Sequence, residues 1–205
     1  MDEKIKCIIF DFDDTLYTGE VWGNWPKFLT TCYLQALPHK KSYDIPYEAL
    51  LSGADFVDCL VKEGVSSKVF VKYQEENIYP FSTEDVRGVD SEVLKKLKPQ
   101  CFLSIVSNSS VPYIKHYCKK LGIDLKLFDD VLQNEFLQKD MSKAVNYKKI
   151  MKKHKLQPEE ILVIGDHYKN DILPAINLGM KSHLIDNVVE LEEYLNTIIN
   201  GNFSL

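Results

Sequence analysis

Short apolar runs that lack in–out alternation punctuate the chain. Residues 6–10 (KCIIF), 102–106 (FLSIV) and 161–164 (ILVI) each stop abruptly at polar residues. Runs of this kind suit strands inside a parallel sheet that is covered on both faces. Weaker strand patterns lie at 130–133 (DVLQ) and 182–186 (SHLID), and helical spacing predicts helices over 91–98, 111–121, 142–154, 171–178 and 188–199. Gly122 and Gly179 follow two of these patterns, where helix C-termini favour glycine. Strand and helix alternate from about residue 91 onward, which predicts an α/β fold built on a doubly wound parallel sheet.

Residues 17–86 break the rhythm. The gap between the first strand and the next strong one is far longer than an ordinary βα loop. It contains both tryptophans, Trp22 and Trp25, and helical patterns near 25–36, 47–62 and 66–77. The expected organisation is a sheet module formed by 1–16 and 87–205, with a mostly helical insertion at 17–86.

Composition narrows the class. Lys and Arg total 25 against 30 Asp and Glu, a net charge of −5. That balance argues against a nucleic-acid or anionic-membrane surface, which needs a basic excess. No apolar stretch reaches the ~20 residues that span a bilayer. The N-terminal MDEKIKCIIFDFDD has acids directly behind a short apolar run and does not read as a signal peptide. Cysteines at 7, 32, 59, 101 and 118 form an odd set without close pairs. They read as reduced thiols, neither a disulfide framework nor a zinc site, so the expectation is a soluble cytoplasmic enzyme.

Candidate chemistry lies where the apolar runs end. The first runs into Asp11-Phe12-Asp13-Asp14-Thr15-Leu16. In extended backbone Asp11 and Asp13 face the same way. Two like charges together are costly unless a shared proton or a cation compensates, and Mg²⁺ is one such cation. Capping and turn formation also explain acidic clusters. The 102–106 run leads into Ser107-Asn108-Ser109-Ser110, residues that cap a helix or open an anion site at its N-terminus. The 161–164 run leads into Gly165-Asp166-His167-Tyr168-Lys169-Asn170-Asp171. Gly165 permits a tight exit, Asp166 sits at the strand tip, and Asp171 alone reads as an N-cap. Ligands of open parallel sheets bind outside the carboxyl ends of the strands, so three polar strand tips form a candidate site.

DFDDTL, the apolar run with Ser107-Asn108, and GDHYKND resemble motifs I, II and IV of the haloacid dehalogenase superfamily. The insertion after the first motif resembles that family's C1 cap, and Gly179-Met180 matches the segment after motif IV. The resemblance implies a nucleophilic Asp11 that forms an aspartyl-phosphate. It implies Asp13 as general acid and base. Ser107, Asn108 and a lysine would bind the substrate phosphate. Mg²⁺ would be held by Asp11, Asp166 and the Asp13 backbone carbonyl, with Asp171 supporting directly or through water. The family's Lys-Pro pair of motif III is missing. Lys139 and Lys143 both lie near the right place, and Ser142-Lys143-Ala144 fits a helix start with Ser142 as cap, which favours Lys143.

Asp14 reads as structural and His167 as a surface or capping residue. Trp22, Trp25 and Tyr17 read as core of the insertion more readily than as lining of a substrate cavity. The functional expectation is a Mg²⁺-dependent phosphohydrolase acting on a small phosphorylated metabolite. A phosphomutase of the same superfamily and a catalytically silent binding protein are the alternatives. A phospho-accepting receiver module is disfavoured by the large insertion and by the lack of a lysine ending the last strand. Natural substrate and oligomeric state have no readable motif.

Overall fold

Three apolar runs become the centre of one sheet. The computed structural model describes residues 4–19, 33–41, 62–65, 72, 75–76, 86–134 and 142–201. Strand β1 (Cys7–Phe10) is followed by a two-residue strand β2 (Tyr17–Thr18), its antiparallel partner β3 (Arg87–Gly88) and helix α1 (Ser91–Leu97). Then come β4 (Phe102–Ser107), α2 (Val111–Leu121), β5 (Asp130–Gln133), α3 (Ala144–His154) and β6 (Ile161–Gly165). A short helix α4 (Leu173–Asn177), β7 (Lys181–Leu184) and α5 (Val188–Ile199) complete the order. The large sheet runs β5-β4-β1-β6-β7 with every pairing parallel.

The expected α/β fold is the observed one, with element ends displaced by a residue or two. The exception is the 171–178 pattern, which divides into a π turn over Tyr168–Ile172 and helix α4. The β2–β3 ribbon escapes sequence reading because two residues are too few to carry a period.

β1 lies between β4 and β6, and all four of its residues are buried. Alternate residues serve opposite faces. Cys7 and Ile9 join Val106, Tyr147, Ile150, Val163 and Ala175 in one cluster. On the other face Phe10 meets Phe128 edge-on, with ring centres 6.1 Å apart. Helix ends follow local chemistry. Asp90 caps α1 by accepting from the Glu92 amide, and Ser110 caps α2 by accepting from the Tyr113 amide. Gly122 closes α2 at φ 72°, a left-handed conformation that side chains with a Cβ adopt only at a cost.

The chain divides into two compact units. One comprises Met1–Gly19, Val86–Asn134 and Asp140–Leu205, the other Glu20–Asp85 and Glu135–Lys139. In the second, Tyr33 and Leu37 are buried and Lys40 pairs with Glu63 at 2.9 Å. The helical patterns expected at 25–36, 47–62 and 66–77 lie largely outside the described residues, as do Trp22, Trp25, Cys32 and Cys59. Among the described residues no helix is long and apolar enough to cross a membrane.

Burial pushes the Cys7 and Cys118 thiols up to about 12 and the Cys101 thiol up to about 11. Thiolate is the reactive form, so all three are inert at mildly alkaline pH. Iodoacetamide at pH 8 should leave these cysteines unmodified in the folded protein and alkylate them in urea, as read by peptide mass mapping. Rapid native labelling of Cys7 or Cys118 would contradict the packing described for them.

Candidate active site

Because β1, β4 and β6 run parallel, their carboxyl ends deliver Asp11, Ser107 and Asp166 to one edge of the sheet. From β1 the sheet order extends through β4 on one side and through β6 on the other. The edge at β1 is therefore the reversal point at which such sheets bind ligands. The Asp11 amide donates to the Ile164 carbonyl at 2.9 Å, which pins the residue to the ladder.

Beyond Asp11 the backbone turns at once. The Leu16 amide donates to the Phe12 carbonyl at 3.0 Å, and Asp14 sits exposed at φ 53°. The extended geometry expected for this segment is thus corrected, and the Asp11 and Asp13 carboxylates have separate sets of partners.

Asp11 meets a lysine. Lys143, at the start of α3, donates from Nζ to Asp11 Oδ1 and to Asp171 Oδ1, each at 2.5 Å, and is itself buried. Ser142 Oγ accepts from the Ala144 amide at 3.2 Å, while Lys139 lies outside the described residues. Asp171 is buried and does not cap a helix, contrary to expectation. Its Oδ2 accepts from the His167 amide at 3.0 Å, and its carbonyl accepts from the Tyr147 hydroxyl at 3.3 Å. The cap of that turn is His167, exposed, whose Nδ1 accepts from the Asn170 amide.

Gly165 explains why Asp171 fits. A Cβ at 165 would stand 2.5 Å from Asp171 Oδ2, a distance no real contact adopts. Here glycine serves close approach.

Asp11, Asp166 and Asp171 each present a carboxylate oxygen, and these atoms lie within 4.8 Å of one another. Thr15 Oγ1 donates to Asp166 Oδ1 at 3.4 Å. Three carboxylates against one ammonium leave negative charge in surplus. An all-oxygen donor set with that surplus fits a hard divalent cation. The Asp13 side chain is not in this group, so any part for Asp13 in holding metal falls to its carbonyl.

The Asp13 carboxylate faces hydroxyls instead. Tyr17 donates to Oδ1 at 2.6 Å, while Ser109 and Ser107 donate to Oδ2 at 2.6 Å and 3.2 Å. Ser107 Oγ also accepts from the Ser109 amide at 2.9 Å. Asn108 Oδ1 accepts from Asn134 Nδ2 at 3.0 Å. Tyr17 is buried in the sheet unit beside Phe12 and Tyr113, which removes it from the core of the insertion.

The haloacid dehalogenase-like hydrolase family matches residues 5–179. The chain belongs to that family. It is 26% identical over 198 residues to a glyceraldehyde 3-phosphate phosphatase of Pyrococcus furiosus, covering 87% of this chain and 80% of the relative. It is 35% identical over 92 residues to a phosphoglycolate phosphatase of Vibrio vulnificus, covering 44% of this chain but only 40% of that relative's length. A predicted phosphatase from Clostridium acetobutylicum shares the fold with a TM-score of 0.62 and 16% identity, covering 93% of this chain and 98% of its own.

In this haloacid dehalogenase-like chain burial and neighbouring charges act against each other around the Lys143 ammonium. Burial drives the Asp11 carboxyl well above its ordinary range; Lys143 opposes that, and Asp171, Asp13 and Asp166 add to it. Burial, then the Asp171 charge, raises Asp166. Burial alone would pull the Lys143 proton off, but Asp11 and Asp171 outweigh it and hold the ammonium above its usual range. Burial, followed by the Asp13 charge, keeps Tyr17 protonated far above the usual phenol range.

Three participants carried no site assignment from sequence. Thr15 stood inside the first motif and Ser109 in the hydroxyl row, but neither signalled its partner. Tyr17 had no motif at all.

Removing the ammonium strands two carboxylates. Lys143→Met in EDTA should cost about 3–5 kcal/mol, read as a fall in the urea midpoint. Gly165→Ala should displace Asp171 and cost about 1–3 kcal/mol. An alanine variant as stable as wild type would show that Asp171 does not need its present position.

Proposed function

We propose that this protein is a Mg²⁺-dependent phosphohydrolase that removes phosphate from a small phosphorylated metabolite through an aspartyl-phosphate on Asp11. The observation that carries this reading is a pair of carboxyl groups two residues apart in opposed environments. Asp11 is tied to an ammonium 2.5 Å away, whereas Asp13 is surrounded by neutral hydroxyls. Environments that set two carboxyls apart divide a nucleophile from a proton carrier.

In this reading Asp11 attacks phosphorus in line with the leaving oxygen. Asp13 gives a proton to that oxygen and then takes one from the water that attacks the phosphoenzyme. Ser107, Asn108 and Lys143 bind the phosphoryl oxygens, where preorganised donors act most strongly. Mg²⁺, when held by Asp11, Asp166, Asp171 and the Asp13 carbonyl, supplies charge neutralisation at those oxygens. The excursion at 17–86 is read as a C1-type cap segment, with 1–16 and 87–205 as the core. The relatives' names, phosphoglycolate phosphatase and glyceraldehyde 3-phosphate phosphatase, support a small phosphorylated substrate.

The test is release of inorganic phosphate from a panel of small phosphorylated metabolites, with and without Mg²⁺. Wild type should release phosphate only with the cation, and Asp11→Asn should release none. Asp13→Asn should lose at least about a hundredfold in rate. Turnover by Asp11→Asn would exclude Asp11 as nucleophile.

A further inference from the structure

The hydroxyls around Asp13 do more than fill space. Tyr17 is fully buried, with its ring centre 5.2 Å from that of Phe12 in an edge contact. A phenylalanine would satisfy that packing equally well. What tyrosine adds is one O–H, and it donates to Asp13 Oδ1 at 2.6 Å. Ser109, also buried, spends its O–H on Oδ2 at the same distance. Both oxygens of the carboxyl are therefore engaged, from two separate stretches of chain, and rotation about its bond breaks a short hydrogen bond on either side. A hydroxyl also accepts as well as donates, unlike an ammonium.

We propose that Tyr17 and Ser109 are positioning residues whose two short hydrogen bonds fix the orientation of the Asp13 carboxyl toward the leaving oxygen. This rests on the phosphohydrolase reading. In the first step an Asp11 oxygen forms its bond to phosphorus as the phosphorus–oxygen bond to the leaving alcohol breaks. The Asp13 proton passes to that alcohol oxygen. In the second step the Asp13 carboxylate takes a proton from water as the water oxygen bonds to phosphorus, and Asp11 leaves as carboxylate. Tyr17 and Ser109 keep their protons throughout. Tyr113, whose hydroxyl lies 3.4 Å from that of Tyr17, supports the tyrosine from behind.

Help with leaving-group protonation matters more as the leaving group becomes a poorer one. The experiment is therefore kcat/KM for phenyl phosphate and 4-nitrophenyl phosphate with wild type, Tyr17→Phe and Ser109→Ala, in the presence of Mg²⁺. Urea midpoints establish that each variant is folded. Each variant should lose on the order of tenfold or more on phenyl phosphate. Each should stay within about twofold of wild type on 4-nitrophenyl phosphate, whose leaving group needs no proton. Equal losses on both compounds, or no loss on either, would overturn the assignment, because a merely structural defect does not discriminate between leaving groups. Wild type inert toward both compounds and the metabolite panel would instead overturn the phosphohydrolase reading, and this inference with it.

Discussion

One buried ammonium makes the acidic edge of the sheet possible. Lys143 is almost fully removed from solvent, as is Asp171, and Asp11 is only slightly more accessible. An isolated charge in such a place is prohibitive, whereas an ammonium between two carboxylates is tolerable. The demands on the backbone follow from that. α3 must begin where the residue that precedes it, Lys143, reaches the β1 edge. β6 must end in a residue without a Cβ, so that the Asp171 carboxylate can close on Lys143. The turn from Tyr168 to Ile172 must take a π geometry to carry Asp171 inward and not leave it as a helix cap.

Much of the framework was legible because burial on two faces leaves a plain mark. The runs CIIF, FLSIV and ILVI admit few alternatives to interior parallel strands, and alternation with helices sets the class. The motif aspartates were legible too, because they stand at strand tips. Side-chain pairing was not. Lys143 and Lys139 are four residues apart in a lysine-rich stretch, and only the fold brings one of them to Asp11. The turn after Asp11 was invisible because the bond that closes it, Leu16 to Phe12, is between backbone atoms. Asp171 was misread for a related reason. Its sequence position before an apolar helix is that of a cap, and a missing methyl group six residues earlier decides otherwise.

The two acids of the first motif show how far adjacency in sequence departs from shared environment. Phe12, between them, is buried with its ring against Tyr17 and Tyr113. That anchor splits the flanking carboxylates, sending one toward Lys143 and the other toward hydroxyls. Ser107 belongs to the second group and donates to Asp13.

The small β2–β3 ribbon has a consequence of another kind. Tyr17 and Thr18 pair with Gly88 and Arg87, and the ends are further tied by Thr18 Oγ1 to the Val188 amide and by Arg87 to Glu192. The chain thus leaves and returns at a fastened neck. For a loop closed in this way the entropy of closure grows only with the logarithm of its length, about 0.6 kcal/mol for each doubling. Lengthening, shortening or exchanging what lies beyond the neck costs the sheet unit little. The length of chain between Thr18 and Arg87 is therefore nearly free to vary while the neck keeps its place beside the sheet.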